Sequence, residues 1–161
     1  MVVVHAATME EWHVLRDIRL EALREAPDAF LSTYAEQATS GESDWRRRIS
    51  RGCTFFAYVS DVSDAEPVGL VGGFLGRPST VELVSLWVRP KARGQGVGDA
   101  LVAAVVEWAR ANNATLVHLW LIEPNEHARA LYERCGFSPT NERQPLPTNE
   151  NRTEVGMTCP L

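Results

Sequence analysis

Arg93-Gly94-Gln95-Gly96-Val97-Gly98 is the stretch on which the fold turns. Before it, Thr80 to Val88 reads as a β-strand; after it, Gly96 to Asn112 carries Leu101, Ala104, Val105 and Trp108 on one helical stripe. Leu116 to Ile122 then reads as a second strand, and a strand, a helix and a strand in that order predict a right-handed parallel crossover. Three alternating glycines let the backbone turn sharply and bring its N–H groups against a ligand with no Cβ in the way. The helix behind them adds about half an elementary positive charge and unpaired N–H donors at its N-terminus. A pyrophosphate suits such an end, and Arg93 adds a cation at the rim.

Upstream, Cys53 to Val59, Val68 to Leu75 and Thr80 to Val88 are β-like and divided by Ser/Asp/Pro and Gly/Pro turns. Connections this short predict an antiparallel meander. Val2 to Val4 is a short first strand, and Thr8 with Glu11 forms a capping box for a helix whose inner face is Leu15, Ile18, Ala22 and Leu23. That helix stops near Pro27; residues 32–43 are polar without clear period, and a short helix follows around 44–51. Downstream, the strand 116–122 is apolar except for His118, as expected of one covered on both faces. Glu126 to Cys135 is a helix with Asn125 as N-cap and Gly136 just past its end. Residues 137–161 predict two edge strands separated by a long Pro- and Asn-containing loop, 139–151. The expectation is a single domain, 1–161, of α/β class with a mixed sheet, antiparallel first and parallel later.

The bulk numbers agree with one globular domain. The chain has 161 residues, 45% apolar and 23% charged, enough to bury roughly 68–70% of its unfolded surface without a staple. A net charge of −5 argues against nucleic acid as the main partner. The start, MVVVHAATMEEW, lacks the basic region and apolar core of a signal peptide, and no apolar run approaches bilayer length. Cys53, Cys135 and Cys159 are odd in number and lack metal-ligand spacing. They predict a reducing cytoplasm, no disulfide framework and no metal site.

Which phosphate ligand the loop holds is decided by elimination only in part. A P-loop needs Lys-Ser or Lys-Thr after the last glycine, and the only lysine, Lys91, lies upstream. A dinucleotide fingerprint starting at Gly94 would need glycine where Asp99 stands. Taken alone, the turn serves as well to shorten a strand–helix connection as to hold a ligand. Two motifs together resemble the GCN5-related N-acetyltransferase (GNAT) superfamily. Val88-Arg89-Pro90 followed by Arg93-x-x-Gly96-x-Gly98 is similar to its coenzyme A loop, and Asn125 through Tyr132 to Gly136-Phe137 is similar to its later helix. The resemblance is close over residues 80–137. Asp99 departs from the small or basic residue common there, and its side chain is expected to point away from the phosphates.

The resemblance implies acetyl-CoA, or a close acyl-CoA, as donor and an amine as acceptor. It assigns the donor site to Leu86, Trp87, Val88, Arg93, Gly94, Gln95, Gly96, Val97, Gly98, Asp99, Asn125, Ala128 and Tyr132, with N–H groups near Leu86 and Val88 freed by a strand bulge. Glu82 matches the family's general base, and burial amid Val81, Leu83 and Val84 would raise its pKa. His118 and Glu123 stand in reserve, and a histidine in an apolar strand is more often a hydrogen-bonded core residue than a catalyst. Tyr132 matches the tyrosine beside the CoA sulfur, assigned as general acid. On the acceptor side, segments 26–51 and 138–152 offer Tyr34, Trp45, Arg46 and Arg143 as lining, and an Arg46–Arg48 run that suits either an acidic acceptor or a solvated face. Pairing through the C-terminal strands makes a homodimer the default. An idle acyl-CoA-sensing module and a nucleotide-binding structural domain are the competing readings.

Overall fold

The glycine-rich link does join a strand to a helix, and that helix to a parallel strand. The computed structural model describes residues 1–59 and 65–161. The Ser/Asp part of the turn expected between the second and third strands lies outside the described residues. In chain order the elements are β1 (Val3–Ala6), α1 (Trp12–Glu25), α2 (Tyr34–Ala38), α3 (Glu42–Ser50), β2 (Cys53–Tyr58), β3 (Gly69–Leu75) and β4 (Thr80–Val88). They continue with α4 (Val97–Ala111), β5 (Leu116–Glu123), α5 (Glu126–Arg134), β6 (Ser138–Leu146) and β7 (Asn149–Pro160). Among the described residues seven strands form one sheet in the order β1-β2-β3-β4-β5-β7-β6. Neighbours are antiparallel except β4 and β5, which α4 connects in parallel. This is the α/β class with a mixed, mostly antiparallel sheet.

Each face of the sheet has its own apolar layer. On one, Leu101, Val102, Val105, Val106 and Ala109 of α4 meet Val71, Val81, Leu83 and Val117. The buried stripe of α4 is thus turned from the expected one, with Ala104 and Trp108 at its margin. On the other face α1 and α3 bring Leu15, Ile18, Ala22, Trp45 and Ile49 against Phe56, Leu70 and Trp87. The expected inner face of α1 is the observed one. Its start is held by Glu11, whose carboxylate accepts from the Thr8 N–H at 2.9 Å and the Thr8 hydroxyl at 3.2 Å. Among the described residues no helix is long and apolar enough to cross a membrane.

Two expectations need correction. Residues 32–43 hold a short helix, α2, opened by a capping box in which Thr33 and Glu36 each receive the other's backbone N–H at 3.1 Å. The expected loop 139–151 is mostly a hairpin, because β6 runs to Leu146 and β7 begins at Asn149. Of these two strands β6 is at the edge of the sheet and β7 lies between β5 and β6. Pro139 and Pro145 suggest a loop, yet an edge strand tolerates proline because its outer N–H groups need no partner.

Candidate active site

The site is built on an irregularity in β4. Leu70 pairs with Trp87 and Gly72 with Val84, so Val71 alone faces Ser85 and Leu86. This is a β-bulge, and Ser85 takes the left-handed conformation it requires (φ 62°). The extra residue reverses the alternation of sides. Val81 and Leu83 point to the α4 layer before the bulge, Leu86 and Val88 after it, and Trp87 enters the opposite layer. On its other side β4 pairs with β5 only at Thr80, Val81 and Glu82. Beyond Glu82 the two strands part, leaving the backbone of 83–88 without a ladder on that side.

The opening between them leads to a cleft of about 680 Å³. Leu86, Trp87 and Val88 form one wall, Arg93, Gly94, Gly96, Val97, Gly98 and Asp99 the floor, and Asn125, Ala128 and Tyr132 the other wall. Gln95, expected with them, hydrogen-bonds instead to the Lys91 carbonyl at 3.3 Å and is not among the lining residues. Gly94 and Gly96 need positive φ (78° and 82°), and an added Cβ would meet nothing at either. Gly98 has a different reason: a Cβ there would come 3.0 Å from Leu131 Cδ2, so it lets α4 and α5 approach. The free N–H groups of α4 thus open onto a bare backbone turn, a fit for a pyrophosphate. Asn125 caps α5 by accepting from the Ala128 N–H at 3.0 Å.

Charges along the cleft are already engaged. Arg93 lines the cleft as expected, fixed there by its Nε donating to the Val88 carbonyl (2.9 Å) and its Nη2 meeting Glu25 (3.1 Å). Asp99 accepts two hydrogen bonds from Arg134, at 2.8 and 3.0 Å. That pairing holds its carboxyl below the usual carboxylate range despite partial burial. Arg134 and His127 also line the cleft, and sequence reasoning overlooked both.

A second cavity, about 260 Å³, adjoins the first at Ala29, Leu86 and Tyr132. Glu82, Trp120 and Glu154 border it. Glu82 is not simply set among valines, because its carboxylate lies 2.7 Å from His118 Nδ1. His118, only 1% exposed, places its Nε2 2.8 Å from Glu142. A neutral imidazole donates through one nitrogen only. Here a carboxylate stands at each of its two nitrogens, Glu82 at one and Glu142 at the other. Glu142 reaches this position by a bulge of β6 opposite Gly156, whose missing side chain leaves the room. Burial pushes the Glu142 carboxyl up, but hydrogen bonds from His118 and Thr140 and the charges of His118 and Arg77 outweigh it and hold the group low. Burial pushes the Tyr132 phenol well up, and Cys135 adds to the shift.

The acceptor-side expectations fare differently. Trp45 is sealed in the core; Arg46 is held on the outside by Glu42 and Glu10. Tyr34 accepts from Arg24, and Arg143 pairs with Glu123 at 2.7 Å. None of the four borders these cavities. Glu142 and Glu154 were missed, and no motif marks either. Only strand pairing brings them to the site.

A family model described as acetyltransferase (GNAT) family matches residues 12–137. An uncharacterised N-acetyltransferase of Methanocaldococcus jannaschii is 30% identical over 50% of this chain and 38% of its own. Mycothiol acetyltransferase of Salinispora arenicola is 33% identical over 65% of this chain and 36% of its own. The chain spans between about a fifth and about a half of the length of such curated relatives. A Salmonella typhimurium structure solved with its cofactor acetyl-CoA aligns at TM-score 0.78 and 16% identity, over 100% of this chain and 94% of that one. A ribosomal-protein-alanine N-acetyltransferase of Brucella melitensis aligns at TM-score 0.75 and 19% identity, over 99% of each. At these identities the two structures speak for the fold.

Proposed function

Because the chain belongs to the acetyltransferase (GNAT) family, we propose that it moves an acetyl group from acetyl-CoA to a primary amine, as a single domain across 1–161. The observation that carries the reading is the parting of β4 and β5 beyond Glu82, which joins the donor cleft to the second cavity at Leu86 and Tyr132. The pyrophosphate rests on Gly94–Gly98 and the N-terminus of α4, and the pantetheine follows the unpaired edge of β4. The bound thioester supplies the acyl group and a thiolate leaving group. The N–H groups near Leu86 and Val88 polarise its carbonyl.

The acceptor enters by the second cavity with its nitrogen towards Glu82. An alkylammonium of pKa ~10.4 is neutral in only about one molecule in 10³ at pH 7, so a base beside it is useful. Glu82 takes a proton from the ammonium and passes it on; the neutral nitrogen attacks the carbonyl carbon, the C–N bond forms, the C–S bond breaks to release the thiolate, and the second proton leaves the nitrogen through Glu82 as the amide forms. Glu82, His118 and Glu142 offer a proton path from this cavity to solvent, since the Glu142 side chain is 37% exposed. Tyr132 donates a hydrogen bond to the sulfur as charge develops on it. The three free thiols suit a reducing cytoplasm, and a homodimer through the C-terminal strands is part of the proposal.

The test is a panel of primary amines with acetyl-CoA, read by release of CoA thiol. Amine-dependent release supports the reading, whereas CoA binding without it would leave a sensing module. Glu82→Gln should sharply lower amine-dependent thiol release; unaltered turnover excludes Glu82 as the base.

A further inference from the structure

Arg19 in α1 is 6% exposed and has no carboxylate partner among the described residues. Its Nε donates to Gln37 Oε1 at 3.1 Å and its Nη1 to Ser85 Oγ at 2.8 Å, both neutral. The guanidinium lies 4.6 Å from the centre of the Phe30 ring. Its Nη2 donates to nothing among the described residues, and no fully buried side-chain nitrogen there lacks a partner, so this donor faces open space. Burial, and then repulsion by Arg48, lower its pKa to about 10.

Arg19 borders a third cavity, about 150 Å³, together with Arg48 and Arg51. Those two also lack a carboxylate within ion-pair distance among the described residues. Their guanidinium groups sit over aromatic rings instead, Arg48 over Trp45 at 5.4 Å and Arg51 over Phe74 at 5.8 Å. The neighbouring arginines of α3 are matched, Arg46 by Glu42 and Arg47 by Asp44. In a chain of net charge −5, one buried arginine and two exposed ones, none of them in an ion pair among the described residues, therefore line one cavity. Arg19 carries the argument, because a buried cation without a counter-ion is costly and is relieved by an incoming anion; Arg48 and Arg51 stand at the exposed rim.

This cavity meets the acceptor cavity at Arg19, Val84 and Ser85. Glu82 and Ser85 are three residues apart on β4, at most about 10 Å along the strand. We infer that the acceptor is a primary amine carrying a carboxylate or a phosphate, with its nitrogen at Glu82 and its anionic group held by Arg19, Arg48 and Arg51. The amine end rests on the proposed transfer reaction, whereas the anion site rests on the arginines alone.

Two measurements separate the claims. In the first, ω-amino carboxylates from glycine to 6-aminohexanoate are compared with their amides, and O-phosphoethanolamine with ethanolamine, by acetyl-CoA-dependent thiol release. The acidic member of at least one pair should lead by about 10- to 100-fold in kcat/KM, mostly through KM, as expected for a charged hydrogen-bonded contact. The pair that leads tells carboxylate from phosphate. In an Arg48→Gln/Arg51→Gln variant, with Arg19 left in place because it packs in the core, that ratio should fall towards one. In the second, Tm is read in inorganic phosphate and in chloride at equal ionic strength, where phosphate should stabilise the wild type and not the double variant. Phosphate stabilisation with no amine acetylated keeps the anion site and sinks the transfer reading. Equal turnover of acidic and neutral amines overturns the acceptor assignment and leaves the transfer reading standing. Equal stabilisation of both proteins overturns the anion site itself.

Discussion

Replacing Tyr132 by Phe tests what the tyrosine does at the sulfur. A phenol of pKa ~10 is already a weaker acid than a thiol of ~8.5, so handing over its proton runs uphill by about 2 kcal/mol. Burial raises the phenol further and widens that gap. Tyr132 therefore acts as a hydrogen-bond donor to developing thiolate charge, a contact worth about 1.5–3 kcal/mol. Its loss should lower kcat about 10- to 150-fold. The fold should barely notice. The ring that packs 5.8 Å from Phe137 is retained, and the deleted hydroxyl has no hydrogen-bond partner among the described residues. The stability change should stay within about 0.5 kcal/mol. The assay is steady-state thiol release with the best amine of the panel, alongside a urea melt. A fall beyond about 10⁴-fold would mean true proton delivery. An unchanged kcat would leave Tyr132 a packing residue.

Acetyl-CoA at 100-fold over its Kd should stabilise the wild type by about 2.7 kcal/mol in a thermal melt. Gly96→Val should abolish that gain, and its own cost should be mainly the strain of a side chain at φ 82°. Asp99→Asn should cost under about 1 kcal/mol at pH 7, as surface ion pairs do. Because Arg134 depresses the native carboxyl, the contribution is complete above the unfolded pKa of ~3.9 and is lost as pH falls through the native value. Wild type and variant should therefore converge in acid melts; a gap that persists there refutes the pairing. Burial pushes the Cys53 thiol up to about 12, so thiol reagents at pH 8 should leave it unmodified in the folded protein while detecting free CoA. Rapid labelling of Cys53 would contradict the packing.

The crossover was legible because its signals are local: a glycine pair that must take positive φ, a helix start behind it, and an apolar strand after it. Asn125, Ala128 and Tyr132 were legible for the same reason, since spacing along one helix sets their common side. The hairpin 138–160 was not, because Pro139 and Pro145 carry a loop signal that only an edge position reverses. Nor was Arg19, which reads as one more polar residue on the helix until Gln37 and Ser85 close around it.

The sequence by itself determined the strand–helix–strand crossover and the glycine turn at its centre. Both depend on backbone freedom and periodicity within a few residues. Tertiary structure decided the rest. It fixed the bulge that turns Leu86 and Val88 to the cleft, the carboxylates that meet His118 from two strands, 36 and 24 residues away in sequence, and the three arginines that share a cavity. These depend on which strands pair and in what register. Register is set by the burial of whole faces, a quantity no short window of residues contains.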